Sequence, residues 1–182
     1  PALPYDLTVS QGVALREKQR QKAKEAYDQL LGALEGPPLL VLYASDNGNA
    51  AKVAQRLTTR AKLRGLGARV LTMDDYPLDE LANEPNVVFV TSTAGQGEPP
   101  QNGRLMMKAL AKQPAGLLTE ATRFAVFGMG DSHYWPRPED AHFYNKPGKD
   151  LYKRLTELGA SPLVALGLGD DQDADGWQTG YK

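Results

Sequence analysis

The chain has 182 residues, of which 41% are hydrophobic and 24% are charged, and its 21 Lys and Arg against 22 Asp and Glu give a formal net charge of −1. This balance argues against a nucleic-acid-binding protein, which normally carries a clear basic excess. The chain has no cysteine, which excludes disulfides, thiolate metal sites, a cysteine nucleophile and a Cys-ligated iron–sulfur cluster on it. Length and composition predict one globular domain with an appendage.

The sequence shows neither a membrane span nor a signal pattern. Its apolar runs, such as Val87 to Val90, are far shorter than the roughly 18 residues that a spanning helix needs. The first residues, Pro1 to Pro4, lack an initiator Met, and no basic segment followed by an apolar one is present. We therefore expect a fragment of a longer chain that has no membrane association and acts in the cytoplasm.

Residues 10–34 predict one long helix. Ser10 to Leu34 is rich in Lys, Arg, Gln and Glu, its apolar residues are concentrated toward the C-terminal half, and Gly36-Pro37-Pro38 ends it. The thin apolar face favours a linker or docking helix over a membrane-surface helix. We therefore assign residues 1–36 to an N-terminal helical extension and residues 37–182 to the domain that follows.

Short apolar runs then alternate with amphipathic stretches. The runs, typical of buried parallel strands, are Leu39–Ser45, Arg69–Met73, Asn86–Thr93, Thr122–Gly128 and Pro162–Leu168. Helical patterns lie between them at Asn49–Arg64, Asn102–Lys112 and Lys149–Leu158. The alternation predicts a doubly wound α/β fold with a five-stranded parallel sheet of order 2-1-3-4-5. Such sheets bind ligands at the carboxyl ends of their strands.

The loop after the first strand, Ser45 to Ala50, has the sequence SDNGNA, which combines small polar side chains with a glycine beside a helix N-terminus. Backbone N–H groups and hydroxyls in such a loop can bind phosphate. No Gly-Lys-Ser/Thr follows, so it is not a Walker loop. An ordinary strand-to-helix turn with Asn49 as the N-cap explains the loop equally well.

Glycines and polar residues also follow three other predicted strands. The third strand ends in STAGQGE (residues 92–98), the fourth in GMGDSHYW (128–135) and the fifth in GLGDD (167–171). Paired glycines allow a planar ligand to approach the backbone closely, and aromatic side chains can stack on a ring. Because four carboxyl strand ends carry such residues together, we expect them to form one site.

These loops resemble those of flavodoxin-like FMN domains of the diflavin-reductase type. The segments STAGQGE (92–98), GDSHYWPR (130–137) and YNKPGKD (144–150) are most similar to the flavodoxin-like domain of fungal sulfite reductase hemoprotein (beta) subunits. The resemblance covers about residues 39–182. It implies an FMN that receives electrons originating from NADPH through an FAD-containing reductase domain or subunit. It further implies that these electrons pass singly to siroheme and iron–sulfur domains that reduce sulfite.

The resemblance also implies the site residues, with no catalytic residue and no metal ligand among them. The FMN phosphate would be held by the loop residues Ser45, Asp46, Asn47, Gly48, Asn49 and Ala50. One side of the isoalloxazine would be lined by Thr93, Ala94, Gly95 and Gly97. The other side would be lined by Gly130, Asp131, Tyr134, Tyr144 and Asn145, with Asp170 completing the rim. The last helix of the family fold is expected beyond Lys182.

The chain departs from the family pattern at both ends of this site. Asn47 and Asn49 stand where the family usually has threonines, and Asp46 brings a negative charge near a dianion. Ala94 replaces the aromatic residue of many relatives, so Trp135 is the nearest residue that could compensate. These departures leave open a flavin-free scaffold or docking domain.

Residues Trp135 to Phe143 form an apparent insertion, whose Pro136 and Pro138 disfavour helix. His133 and His142 could suggest a metal, but the sequence places no third ligand, which favours solvent-exposed loop histidines.

Carboxylates are frequent around the predicted site, at Glu98, Asp131, Glu139, Asp140, Asp170, Asp171, Asp173 and Asp175. They predict an acidic rim that would steer a basic partner. The alternative is that these carboxylates are ordinary solvent-exposed residues of surface loops, which would explain their presence equally well.

Overall fold

The computed structural model describes residues 12–24 and 36–181. The chain divides into two compact units, Pro1–Gly36 and Pro37–Lys182. In the first unit residues 12–24 form helix α1, within the helix predicted for Ser10 to Leu34, and the rest of that prediction lies outside the described residues. In the described ranges, no helix is long and apolar enough to cross a membrane.

The second unit is an α/β domain. Its strands are β1 (Pro38–Ala44), β2 (Gly67–Thr72), β3 (Asn86–Ser92), β4 (Arg123–Gly130), β5 (Ser161–Pro162) and β6 (Gly167–Asp170). Its α-helices are α2 (Asn49–Leu63), α3 (Arg104–Lys112) and α4 (Lys146–Glu157), and short 3-10 helices span Leu78–Asn83, Gln101–Gly103, Pro138–Phe143 and Gly176–Tyr181. The strands are parallel in the order β2-β1-β3-β4-β5, with β6 also paired to β4, which confirms the predicted order 2-1-3-4-5.

The sheet is covered on both faces because its central strands are apolar on both sides. In β1, Leu40 and Leu42 point to one face and Leu39 and Val41 to the other, and all four are buried. The first face is covered by α3 and α4, through Leu110, Leu151 and Leu155. The second face is covered by α2, through Val53, Ala54 and Ala61.

The fifth strand position differs from the prediction, because the run Pro162–Leu168 is not one continuous strand. Phe124 of β4 pairs with Pro162 and Phe127 pairs with Gly167, so three steps along β4 (124 to 127) match five steps along this segment (162 to 167). The surplus residues bulge away from the sheet, and Leu163 and Val164 are 42% and 61% exposed. The apolar run correctly predicted the position of this segment in the sheet. It did not predict the interruption between β5 and β6.

The insertion also differs from the prediction, because Pro138–Phe143 forms a 3-10 helix. Pro138 lies in the first turn of this helix, where the missing N–H removes no intrahelical hydrogen bond, so the proline is tolerated there. Helix α4 begins at Lys146, earlier than the predicted Lys149.

After β6 the chain returns to the face of the sheet covered by α2. Trp177 and Tyr181 of the last 3-10 helix pack against the core on that side, and the rings of Tyr181 and Phe127 are 5.6 Å apart between centroids. The further helix expected beyond Lys182 stays a prediction.

Candidate functional site at the carboxyl edge of the sheet

A cleft of about 390 Å³ opens at the carboxyl ends of β1, β3 and β4. The chain leaves β1 toward β2 on one side and returns to β3 on the other, so the cleft lies at the point where the strand order reverses. Its lining residues are Ser45, Asp46, Asn47, Asn49, Ser92, Thr93, Ala94, Gly95, Met129, Gly130, Asp131, Tyr134, Trp135 and Asp171. The volume lies in the range of about 300–1,000 Å³ that is usual for small-molecule sites.

The structure brings most of the sequence-predicted site residues into this cleft, namely Ser45, Asp46, Asn47, Asn49, Thr93, Ala94, Gly95, Gly130, Asp131 and Tyr134. Outside the lining lie Gly48, Ala50, Gly97, Tyr144, Asn145 and Asp170. The lining also includes four residues absent from the predicted set, Ser92, Met129, Trp135 and Asp171. For Trp135, its place beside Tyr134 was a usable signal, whereas nothing in the sequence singled out Met129.

One end of the cleft is formed by the loop between β1 and α2. Gly48, with φ +81°, is the N-cap of α2 in place of the predicted Asn49, and it provides no side-chain cap. The first N–H groups of a helix have no intrahelical partner and carry partial positive charge. The side chain of Ala50 does not reach the cleft because it is fully buried in the core beneath α2.

Uncharged donors dominate this end. Ser45 Oγ is buried and has no hydrogen-bond partner among the described residues. The exposed side chains of Asn47 and Asn49 also line the cleft, and the described lining contains neither Lys nor Arg. The arrangement can therefore offer hydroxyl, amide and backbone N–H groups to an anion without a basic side chain.

The Asp46 carboxylate does not stand free beside these donors. Its Oδ1 accepts the backbone N–H of Gln101 at 2.9 Å, across to the turn that precedes α3. The negative charge predicted near the phosphate is therefore already engaged in a hydrogen bond within the protein.

The opposite end begins with the tight turn after β3. The N–H of Ala94 donates to the Glu98 carbonyl and the N–H of Glu98 donates back, both at 2.9 Å. Gly95 and Gly97 have φ of +42° and +83°, and a Cβ on Gly95 would meet the Glu98 carboxylate. A Cβ on Gly97 would lie 3.0 Å from the ring of Phe143, so Gly97 faces the insertion and not the cleft.

An aromatic wall is formed by Tyr134 together with Trp135 and Phe143 of the insertion. Tyr134 is 63% exposed and meets Trp135 edge to face, with ring centroids 4.9 Å apart. Trp135 is half-buried, and its centroid is 6.2 Å from that of Phe143. The indole Nε1 of Trp135 is buried without a hydrogen-bond partner among the described residues. An unused donor therefore lies in the wall that borders the cleft.

Asn145 supports the glycine-rich end of β4 from behind. It is fully buried, with φ +52°, and its Nδ2 donates to the carbonyl of Gly169 at 3.2 Å. A Cβ on Gly130 would lie 3.0 Å from Asn145 Oδ1, so the two segments approach too closely for a larger residue. The structure therefore shows Asn145 packed between β4 and β6, without access to the cleft.

Asp170 likewise acts on the loop beside it. Its Oδ1 accepts the N–H groups of Ser132 at 2.9 Å and Gln172 at 3.1 Å. Burial by itself would raise the pKa of Asp170, but these hydrogen bonds, together with the nearby His133, lower it. Burial, followed by the charge of Asp170, raises the pKa of Tyr144.

Several of the predicted rim carboxylates are engaged within the protein. Asp131 Oδ1 accepts the side-chain amide of Gln172 at 2.7 Å, and Asp140 pairs with Arg137 at 3.0 Å. Asp171 lines the cleft and is exposed. Of the predicted rim carboxylates, all of which are described residues, Asp131 and Asp171 line the cleft.

The two histidines do not form part of a metal-binding cluster among the described residues. Both are exposed, and Nδ1 of His142 is 2.7 Å from the carbonyl oxygen of Glu139. Over residues 12–24 and 36–181, no cluster of three or more His, Asp or Glu could hold a metal ion.

Comparison with known proteins identifies the family. The flavodoxin family model matches residues 41–181. The chain is 58% identical, over its whole length, to sulfite reductase [NADPH] subunit beta of Saccharomyces cerevisiae, of which it spans 13%. It is 42% identical, over 77% of its length, to NADPH-dependent diflavin oxidoreductase 1 of Arabidopsis thaliana, of which it spans 22%.

A solved structure shares the fold. A single-residue mutant of flavodoxin from Pseudomonas aeruginosa superposes with a TM-score of 0.61 at 25% identity, covering 79% of this chain and 91% of that one. Together these similarities confirm the resemblance that the loop sequences predicted. The chain belongs to the flavodoxin family.

Proposed function

We propose that residues 37–182 bind FMN in the cleft and relay single electrons within an NADPH-dependent sulfite reductase, with residues 1–36 as a linker or docking extension. The observation that carries the proposal is Ser45 Oγ, a buried hydroxyl without a partner among the described residues, on a cleft-lining residue of the loop between β1 and α2, beside the strand-order reversal. Membership of the flavodoxin family supports it, since FMN is the cofactor of flavodoxins.

The residues present fit this cofactor. At the α2 end, Ser45, Asn47, Asn49 and the free N–H groups of the first helical turn would hold the phosphate. At the other end, the ring would lie between the turn at Ala94 and Gly95 and the aromatic wall. A bound flavin would supply the redox chemistry, while the protein binds and orients it.

Hydrogen bonds between the chain's own groups connect the segments around this cleft. Thr93 Oγ1 donates to the carbonyl of Met129 at 3.1 Å, which joins the ends of β3 and β4 below the cleft. Asp170 holds the N–H of Ser132 and so fixes the loop that carries Tyr134 and Trp135. Half-buried Trp135 would limit the access of water to one side of a bound ring.

The names of the relatives and the lack of cysteine in this chain support the proposed partners. An FAD-containing reductase domain or subunit would deliver electrons that originate from NADPH, as the names of the two relatives suggest. A siroheme and iron–sulfur hemoprotein would receive them, and its Cys-ligated cluster must lie elsewhere because this chain has no cysteine. Asp131 and Asp171 at the cleft would favour a basic docking surface on the partner.

Titration of the purified chain with FMN and with riboflavin tests the proposal. We expect a yellow complex with quenched flavin fluorescence and tighter binding of FMN than of riboflavin, because only FMN presents a phosphate to the α2 end. A chain that binds neither flavin would contradict the proposal and favour the flavin-free scaffold. Equal affinity for both would contradict the phosphate assignment alone.

A further inference from the structure

We propose that Asn102 and Asp46 are positioning residues that hold the phosphate loop in its binding conformation. They form a pair of reciprocal hydrogen bonds, called here the 46–102 latch, between the loop after β1 and the 3-10 turn Gln101–Gly103. The inference rests on the proposed FMN site and adds residues to it that lie outside the loop itself. Nothing in the sequence marks Asn102, which there reads only as the start of a helix.

The latch joins each side chain to the opposite backbone. Asn102 Oδ1 accepts the N–H of Ser45 at 2.8 Å, and Asp46 Oδ1 accepts the N–H of Gln101 at 2.9 Å. Ser45 and Asn102 are both half-buried. Because the two bonds run in opposite directions between the same two segments, they fix both the separation and the orientation of the loop.

The turn that carries Asn102 is itself immobilised. The Asn102 carbonyl accepts the N–H of Asp74 at 3.1 Å, and the Asp74 carboxylate accepts N–H groups of Leu105 at 3.3 Å and Met106 at 3.0 Å. A Cβ on the neighbouring Gly103 would lie only 2.5 Å from the Cβ of Ala44, so the turn packs directly on the end of β1. Asn102 therefore connects the loop to a fixed point.

The latch bears on ligand binding because it holds Ser45, whose hydroxyl has no hydrogen-bond partner among the described residues. Asn102 holds the backbone of the same residue whose Oγ is buried without a partner among the described residues. Free movement of this backbone would let the hydroxyl turn toward another acceptor or toward solvent. With the latch closed, the Ser45 backbone stays at the edge of the cleft, and the entropy of ordering the loop is lost during folding instead of during binding.

The latch also predicts the direction in which substitutions of Asp46 change the affinity for FMN. If this carboxylate acted only as a negative charge near the phosphate, replacing it by alanine or by asparagine would strengthen FMN binding. If it acts through the latch, only asparagine is tolerated, because its Oδ1 can still accept the Gln101 N–H. The two substitutions therefore separate a charge effect from a positioning effect.

The test measures the ratio of the riboflavin and FMN dissociation constants for Asn102→Ala, Asp46→Ala, Asp46→Asn and the control Gln101→Ala, all in the full chain. We expect Asn102→Ala to lower the preference for FMN by up to about tenfold, and Asp46→Ala by about tenfold or more, because a hydrogen bond to a charged group contributes more than a neutral one. Asp46→Asn keeps or increases the preference. Gln101→Ala leaves it unchanged, because Gln101 contributes its backbone N–H to the latch.

Riboflavin separates the possible failures, because its binding does not use the phosphate loop. A loss of FMN and riboflavin affinity by the same factor in Asn102→Ala overturns the positioning role, and so does an unchanged preference for FMN. An Asp46→Ala chain that binds FMN more tightly than wild type also overturns it. A wild-type chain that binds both flavins equally overturns the phosphate site, and the latch with it.

Discussion

The two ends of the cleft are built in different ways. The α2 end is one short loop whose donors are uncharged and whose backbone is held from outside by Asn102. The opposite end gathers side chains from several segments, including Tyr134, Trp135 and Asp171. At the α2 end, a few fixed donors that bind one charged group should each contribute much of the binding energy. At the opposite end, the aromatic and acidic residues should each contribute less. Substitutions at the two ends should therefore differ in size and in their dependence on the phosphate.

The largest expected effect lies at the α2 end. The double substitution Asn47→Ala with Asn49→Ala should weaken FMN binding by about a hundredfold to ten-thousandfold, because hydrogen bonds to a charged group contribute about 1.5–3 kcal/mol each. Riboflavin binding should hardly change. Fluorescence titration with both flavins measures the two constants. Asn83→Ala, in the 3-10 helix Leu78–Asn83 outside the cleft lining, is a control that should alter neither.

An equal loss for FMN and riboflavin in that double variant would show that the loop is misfolded and would remove the distinction between the two ends.

At the aromatic end we expect smaller effects that do not depend on the phosphate. Tyr134→Ala should cost at least about tenfold in affinity for FMN and for riboflavin alike, because stacking adds roughly 0.5–1.5 kcal/mol beyond the buried area. It should also restore flavin fluorescence. Trp135→Ala should act in the same direction, because Trp135 lines the cleft together with Ala94. Trp177→Phe, at a half-buried residue packed against the core on the α2 side and outside the cleft lining, is the control.

Unchanged affinity and unchanged quenching in Tyr134→Ala would mean that the loop after β4 does not border the ring. The flavin-free scaffold would then gain support.

The sequence predicted the sheet because the fold depends on patterns that are local to the chain. Continuous apolar runs such as Leu39 to Ser45 identify strands buried on both faces, and their carboxyl ends must meet at one edge of a parallel sheet. This reasoning placed four loops together without any knowledge of contacts.

Local sequence patterns could not predict which of two adjacent loop residues faces the cleft. Asp170 and Asp171 are adjacent and alike in sequence, yet Asp170 holds the N–H of Ser132 while Asp171 lines the cleft. The hydrogen bond between Asn102 and Ser45 joins residues that are 57 positions apart, and no local pattern predicts it. Orientation and long-range pairing are set by tertiary packing, which a single sequence does not display.

The acidic residues beside the cleft predict a moderate effect on electron transfer between partners. Reversing the charges of Asp171 and Asp173 together should slow transfer between this domain and its acceptor several-fold at low salt, because complementary charge mainly accelerates association. Raising the ionic strength should slow electron transfer in the wild type and reduce the difference in rate between the wild type and the variant. Stopped-flow measurement in the assembled reductase tests both, and Glu120→Lys, on an exposed segment outside the cleft lining, is the control. A rate that responds to neither treatment would contradict the steering role.

The smallest expected effect concerns Asp170 and the stability of the aromatic end at acid pH. Its pKa in the folded chain lies below the ordinary value, because hydrogen bonds from Ser132 and Gln172 outweigh burial. A carboxyl group with a lowered folded pKa contributes stability above its unfolded pKa of about 3.9, and this contribution is lost as the pH falls through the folded pKa. Asp170→Asn should therefore lower the thermal midpoint at pH 7 by no more than about 2–4 °C. The difference from wild type should shrink toward pH 3. Asp171→Asn is the control and should leave the thermal midpoint at pH 7 unchanged, because no described residue donates a hydrogen bond to the Asp171 side chain. A constant difference across this pH range would mean that the charge of Asp170 does not hold the loop after β4.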